Sequence, residues 1–337
     1  MEGLSALHAL RRQQKKNSLM QHILNNKATA ILVPAIVGLG GAALSVRAFE
    51  QYGWSLFLGL PIVVSFLAAF AWSYRRQRTF GSAYGVSCLS ILSLGGLILI
   101  FALDGLICLL MALPLALVLA LIGAALGRLV GSAVGGAAGA TVALLLSLSF
   151  PFLVGFEHAT TSAPVIRKVS TSVLIHGRIE DVWDTVIAFP KITEKPGIIF
   201  RLGIAYPIEA RIEGHGVGAI RYCVFSTGSF VEPITEWDAP HRLSFDVTEN
   251  PPPMKELSIY KDLHAPHLHE HMVSDRGQFR LSEQGDQVLL EGTTWYSHSI
   301  SPEFYWGLVS DEIIHRIHLR VLNHIKHHTE KNHQPSS

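Results

Sequence analysis

The chain has 337 residues, 49% of them hydrophobic and 16% charged, with a formal net charge of +1. Its mean hydropathy is +0.33, yet the charge is unevenly spread: up to Gly155 there are 10 Lys and Arg against 3 Asp and Glu (+7), and from Phe156 onward 17 against 23 (−6). That split excludes an ordinary soluble enzyme of uniform composition, and the near-zero total with an acidic second half excludes a general nucleic-acid binder.

The first 27 residues are a polar, basic tail holding Arg11, Arg12, Lys15, Lys16 and Lys27. No small-residue cleavage site follows the first apolar run, which therefore reads as a retained anchor. Five apolar stretches follow, near 28–46, 54–74, 83–103, 106–127 and 133–155, and none carries a charged side chain. Each approaches the roughly 20 residues that a helix needs to cross a bilayer. The links hold Arg47 and Glu50, then Arg75, Arg76 and Arg78, then Asp104, then Arg128. Positive flanks resist translocation, so the amino terminus is expected in the cytoplasm of a multi-pass protein of the cell membrane. Five spans would place the C-terminal domain outside the cytoplasm, and four would leave it inside.

Gly123, Gly127, Gly131, Gly135 and Gly139 recur every fourth residue. This spacing suits a packing seam within the subunit or in a homo-oligomer, or two glycine-rich helix ends meeting at a turn around Arg128. Asp104-Gly105 reads as an interfacial turn. With no ionisable residue inside the spans and no repeated broken helix, the region reads as an anchor and not as a transport pathway.

A linker over 156–168 leads to a different texture. Alternating apolar residues predict strands over 171–176, 208–213, 219–225, 230–237, 242–248, 278–282 and 288–296. An amphipathic helix is expected over 179–189, a short helix or turn over 190–197, and a tight hairpin at His215-Gly216-Val217-Gly218. A long helix is expected from about 302 to 328, capped by Ser301 with Pro302 in its first turn, and residues 331–337 form a disordered tail. Helices placed only at the start and end of an antiparallel run argue for α+β. A long helix lying across a curved sheet leaves room for a ligand.

Residues 169–330 resemble the START-like, Bet v 1-like superfamily, also called polyketide cyclase/lipid transport or SRPBCC. The resemblance rests on the order of elements and on Ile179-Glu180-Asp181-Val182-Trp183 and Ile234-Thr235-Glu236-Trp237-Asp238-Ala239-Pro240-His241-Arg242-Leu243. It implies a helix-grip fold whose cavity holds lipids, sterols, polyketides, quinones or hormones. A minority of the superfamily are enzymes, and no shared catalytic set can be carried over.

The candidate ligand-binding residues are Arg221, Glu232, Tyr296, His298, Tyr305 and His315. Arg221 and Glu232 could pair or hold an acidic ligand group, although the alternation with Ile220, Tyr222 and Val224 favours an outward orientation. Tyr296, His298 and Tyr305 suit a cavity mouth. Asp311, His315 and His318 share one helix face, and His315 or His298 could serve as an acid or base. His264, His267, His269 and His271 have ligand-like spacing in a proline-rich segment over 251–267 that reads as an inserted surface loop, so no metal is expected. No nucleophile motif, phosphate loop or dinucleotide fingerprint is present, and no cofactor is expected.

The expected function is a membrane-anchored binder of a hydrophobic small molecule, lipid or quinone-like, with the bilayer as its other partner. The alternatives are a cyclase, dehydratase or hydrolase working in the same cavity, and an interaction module whose cavity is filled by its own side chains.

Overall fold

The computed structural model describes residues 26–133, 137–160, 164–255 and 272–333. The chain divides into two compact units around residue 161.

The first unit is helical: α1 (Lys27–Ala43), α2 (Leu60–Ser73), α3 (Phe80–Ile100), α4 (Leu106–Ala133) and α5 (Ala137–Ala159). Short π-helical turns, Leu44–Ala48 and Ser55–Gly59, extend α1 and precede α2. Five helices here are long and apolar enough to cross a membrane. Glycine makes their close packing possible: a Cβ on Gly123, Gly127 or Gly131 would come within 2.2–2.8 Å of the carbonyl oxygens of Ile62, Phe66 and Phe70 in α2. At these three positions the seam lies within the subunit, while Gly135 falls outside the described residues.

Two sequence expectations need correcting here. No turn interrupts the chain at Arg128, because α4 continues to Ala133. The glycines that suggested a break are instead held against α2, and the Arg128 guanidinium finds the carbonyl of Arg78 (2.6 Å). The last apolar helix also runs on past Gly155 to Ala159, so Glu157, expected in the linker, lies within it. That carboxylate accepts from the Trp54 and Ser55 amides and the Ser55 hydroxyl (2.6 Å), satisfying donors that open the α2 segment. Gly53 makes room for it, because a Cβ there would meet the carboxylate at 2.0 Å.

These contacts sort the ends of the bundle. At one end Arg47 reaches the carbonyls of Phe101 and Ala102, the Phe49 ring meets His158, and Glu157 meets Trp54 and Ser55. At the other, Arg128 meets Arg78, and the Arg75 amide donates to Gly131 (3.0 Å). The chain enters α1 at this second end and leaves α5 at the first.

The second unit is a seven-stranded antiparallel sheet in the order β1-β7-β6-β5-β4-β3-β2, with β1 (Ile166–His176), β2 (Pro207–Glu213), β3 (Ile220–Phe225), β4 (Gly228–Asp238), β5 (Arg242–Asp246), β6 (Met272–Gln284) and β7 (Gln287–His298). Between β1 and β2 lie α6 (Ile179–Ile187) and the short α7 (Ile198–Arg201), and α8 (Glu303–His333) closes the fold. This is the expected helix-grip arrangement. The first helix buries Ile179, Val182, Trp183 and Val186, the i, i+3, i+4, i+7 stripe of an amphipathic helix. Bulges at Ile234/Glu236 and Ser274/Arg276 bend the sheet. Gly214, Gly216 and Gly218 take φ values of 79–89° at the β2–β3 turn, a region that L side chains avoid. Val321, Leu322 and Ile325 of α8 join Ile175, Ile234, Leu243, Leu281 and Leu290 of the sheet in the main core. Pro302 stands just ahead of α8, its carbonyl accepting from Tyr305 and Trp306.

Candidate functional site

Packing α8 against a bent sheet leaves a cavity of about 150 Å³. Phe225, Phe230, Phe245, Phe279 and Gly292 line it from the strands, Ile313, Ile314, Ile317, His318, Val321 and Leu322 from α8, and Pro251, Pro252, Pro253 and Met254 from the segment after β5. Those four residues correct the reading of 251–267 as surface loop throughout. The described part of that segment turns inward because Gly203 and Ala205 tie it down, through Ala205 N to Pro253 O (3.0 Å) and Lys255 N to Gly203 O (2.8 Å).

Arg221 and Glu232 also line this cavity. The expected outward orientation is wrong: Arg221 is 1% exposed and Glu232 6% exposed. Their register explains it, since the two stand directly opposite each other across β3 and β4 and form an ion pair. A charge that can enter the interior with its partner no longer has to face water. Arg221, Cys223 and Phe225 take the inward set, leaving Ile220, Tyr222 and Val224 on the half-buried outer face. The Arg221 Nε donates to the Ile187 carbonyl (3.1 Å), and its guanidinium carbon lies 5.4–5.7 Å from the ring centroids of Phe189, Phe245 and Phe279. Burial pushes the Glu232 carboxyl up against the opposing pull of Arg221. Burial and the nearby Glu232 push the Cys223 thiol up to about 12, so it remains a protonated, inert thiol.

His318 borders the cavity from α8, with Nε2 on Thr294 Oγ1 (2.8 Å) and Nδ1 on Thr171 Oγ1 (3.2 Å). Burial and the neighbouring His315 lower it to about 4, so it is neutral at pH 7. His315 itself bonds Thr171 Oγ1 (2.8 Å) and does not border the cavity.

Tyr296, His298 and Tyr305 also lie away from the cavity lining. The Tyr296 hydroxyl donates to Asp311 (2.7 Å), and Arg167 binds Asp311 through two nitrogens and Glu303 through a third. Burial alone would raise the Asp311 carboxyl, but Arg167 and Tyr296 hold it below the usual range. Burial and the bond to Asp311 raise the Tyr296 hydroxyl. His298 is 8% exposed, and burial lowers it against the opposing effects of Glu303 and the Ile300 backbone. Tyr305 packs on Trp306 with centroids 5.4 Å apart. Gly307 makes room for the Arg167 guanidinium, which a Cβ would meet at 2.6 Å. This cluster joins the start of β1 to the first turns of α8.

Sequence reading missed the phenylalanines and the proline run that shape the cavity. Inward parity of Cys223 and Phe225 would have signalled the first group. Among the described residues no group of three or more His, Cys, Asp or Glu could hold a metal ion, and the His264–His271 spacing falls outside them.

No family model matches the chain, and no curated protein matches it. Solved structures that resemble it include a protein from Nitrosospira multiformis (18% identity, 49% of this chain and 99% of that one, TM-score 0.33). Norcoclaurine synthase from Thalictrum flavum, in complex with dopamine and hydroxybenzaldehyde, is 15% identical over 51% of this chain and 91% of its own, with TM-score 0.34. The Aha1 dimer from Colwellia psychrerythraea is 11% identical over 46% and 93%, with TM-score 0.25. The fold assignment rests on the strand order and terminal helix described above.

Proposed function

We propose that this chain is a multi-pass membrane protein whose C-terminal domain binds an apolar small molecule between its sheet and α8. The carrying observation is the partly open cavity, walled largely by phenylalanine and aliphatic side chains, with a buried ion pair among its polar groups. Ligand sites commonly combine an apolar wall with a few placed polar groups. A sparingly soluble ligand partitions into the bilayer, so tethering its binder there raises the local concentration. Binding is favoured over catalysis because Cys223 stays protonated, His318 has both nitrogens engaged by threonines, and His298 and His315 lie outside the cavity.

The bundle end holding Lys27, Arg75, Arg76, Arg78 and Arg128 is the more positive one, while Glu50, Asp104 and Glu157 accompany Arg47 at the other. By the positive-inside rule the first is cytoplasmic, and five crossings deliver the binding domain to the opposite side.

The test uses ethylbenzene, a neutral probe with a single ring, added to the detergent-solubilised full chain. Its binding should give a saturation-transfer NMR signal, and Gly292→Val, which adds bulk to the cavity wall, should abolish that signal. A signal unchanged by that variant would contradict the assignment.

A further inference from the structure

Within the cavity the three nitrogens of Arg221 have unequal surroundings. Its Nε is taken by the Ile187 carbonyl and Nη1 by Glu232, whereas Nη2 is buried and has no oxygen or nitrogen acceptor among the described residues, the weakly accepting Cys223 sulfur being the polar neighbour left to the guanidinium. A buried charged donor left unpaired is costly, and native interiors seldom tolerate one without an occupant or a function. Two other polar side chains of the lining are engaged, both nitrogens of His318 by threonines and the Gln278 amide nitrogen by Ser244 (3.0 Å).

We propose that Nη2 of Arg221 receives the ligand's hydrogen-bond acceptor, and that this acceptor is an uncharged carbonyl carried on a ring-sized apolar head group. This rests on the reading of the cavity as a ligand site. The charge balance selects the acceptor. Arg221 already faces one carboxylate, so the pair enters the interior as a neutral unit, and an anionic ligand would add a second negative charge against one cation. A carbonyl accepts from the guanidinium without that penalty. Arg276, at the rim, is exposed with its guanidinium over the Trp295 ring, so it does not bring a second cation inside. Volume selects the head group: about 150 Å³ matches an apolar hole that accommodates one benzene ring. The phenylalanines that flank Arg221 offer such a ring its stacking partners.

The experiment compares three probes of similar size on the full chain in detergent: acetophenone, with a neutral carbonyl, ethylbenzene, with no acceptor, and benzoate, an anion. Acetophenone should bind about tenfold more tightly than either of the others, the effect of one hydrogen bond to a charged donor. Its 13C carbonyl resonance should shift downfield when bound. In Arg221→Met/Glu232→Met, which removes both charges together, the preference for acetophenone over ethylbenzene should vanish. Tightest binding of benzoate, equal binding of acetophenone and ethylbenzene to the unaltered chain, or a preference surviving in the double variant would each overturn the proposal. The comparison on the unaltered chain stands even if the double variant fails to fold. Equal binding of the two neutral probes, abolished by Gly292→Val, would refute the carbonyl assignment alone; absence of binding by every probe would refute the cavity reading as well.

Discussion

In the helical unit, Arg47 and Glu157 sit near helix ends and meet backbone groups that a helix leaves unsatisfied, while Arg128, within α4, reaches the Arg78 carbonyl in the link before α3. In the C-terminal unit, Arg221 and Glu232 sit in the middle of strands, face each other and border a cavity. The surroundings account for the difference. In the bilayer proposed for this unit, whose core offers no water, charges are confined to the ends of the helices and close packing falls to glycine. A sheet half-covered by one helix has an interior wide enough to admit a neutral pair of charges, and that pair can serve recognition.

The sharpest way to break this comparison is to unbalance the pair. Glu232→Met should destabilise the C-terminal unit by about 4 kcal/mol, because it leaves Arg221 buried without its counter-charge. Arg221→Met/Glu232→Met should recover most of that loss. Hydrogen exchange of β3 and β4 peptides would read both, and a double variant as unstable as the single one would show that the pair is not the cause.

The matching test in the helical unit is Gly127→Val, expected to cost about 3 kcal/mol because even its Cβ would meet the Phe66 carbonyl at 2.2 Å. Gly95→Ala, with nothing within 4 Å of the added carbon, should change stability by less than about 1 kcal/mol. Thermal melts in detergent that failed to separate the two would remove the packing argument.

Acid should act mainly on the second unit. The His318 pKa is lowered from 6.5 to about 4, so the folded state resists a proton that the unfolded chain accepts. Stability is therefore complete above about pH 6.5 and declines as pH falls toward 4, by up to about 3 kcal/mol. His318→Gln should flatten this loss, as followed by exchange of β7 peptides between pH 7 and pH 4. A smaller effect is expected from Glu157→Ala, which removes the acceptor at the start of the α2 segment and should cost about 1–2 kcal/mol in a detergent melt.

Much of the architecture was legible because solvent dictates it. Five long apolar runs and a later period-two alternation announce a bundle followed by a sheet. The misreadings have equally physical origins. Glycines around Arg128 resembled a turn because sequence shows the missing side chain but not the helix that fills its place. Arg221 was expected to face outward because Ile220, Tyr222 and Val224 are apolar too, and hydropathy cannot choose between two apolar faces when the charge on one of them is neutralised across the sheet. Helical periodicity grouped His315 with His318, but sheet curvature decides which one borders the cavity: His318 does, and His315 lies against β1. Of the residues nominated from sequence, Arg221 and Glu232 thus border the cavity, while Tyr296, His298 and Tyr305 belong to the neighbouring Arg167–Asp311 cluster or pack beside it.

Native mass spectrometry of the full chain, released gently from detergent after purification from its own membranes, tests the central claim most directly. The account predicts a population carrying one apolar, carbonyl-bearing molecule per chain, lost in Gly292→Val. A bare polypeptide mass under conditions that preserve lipid adducts on other membrane proteins, or an adduct that persists unchanged in Gly292→Val, would contradict it.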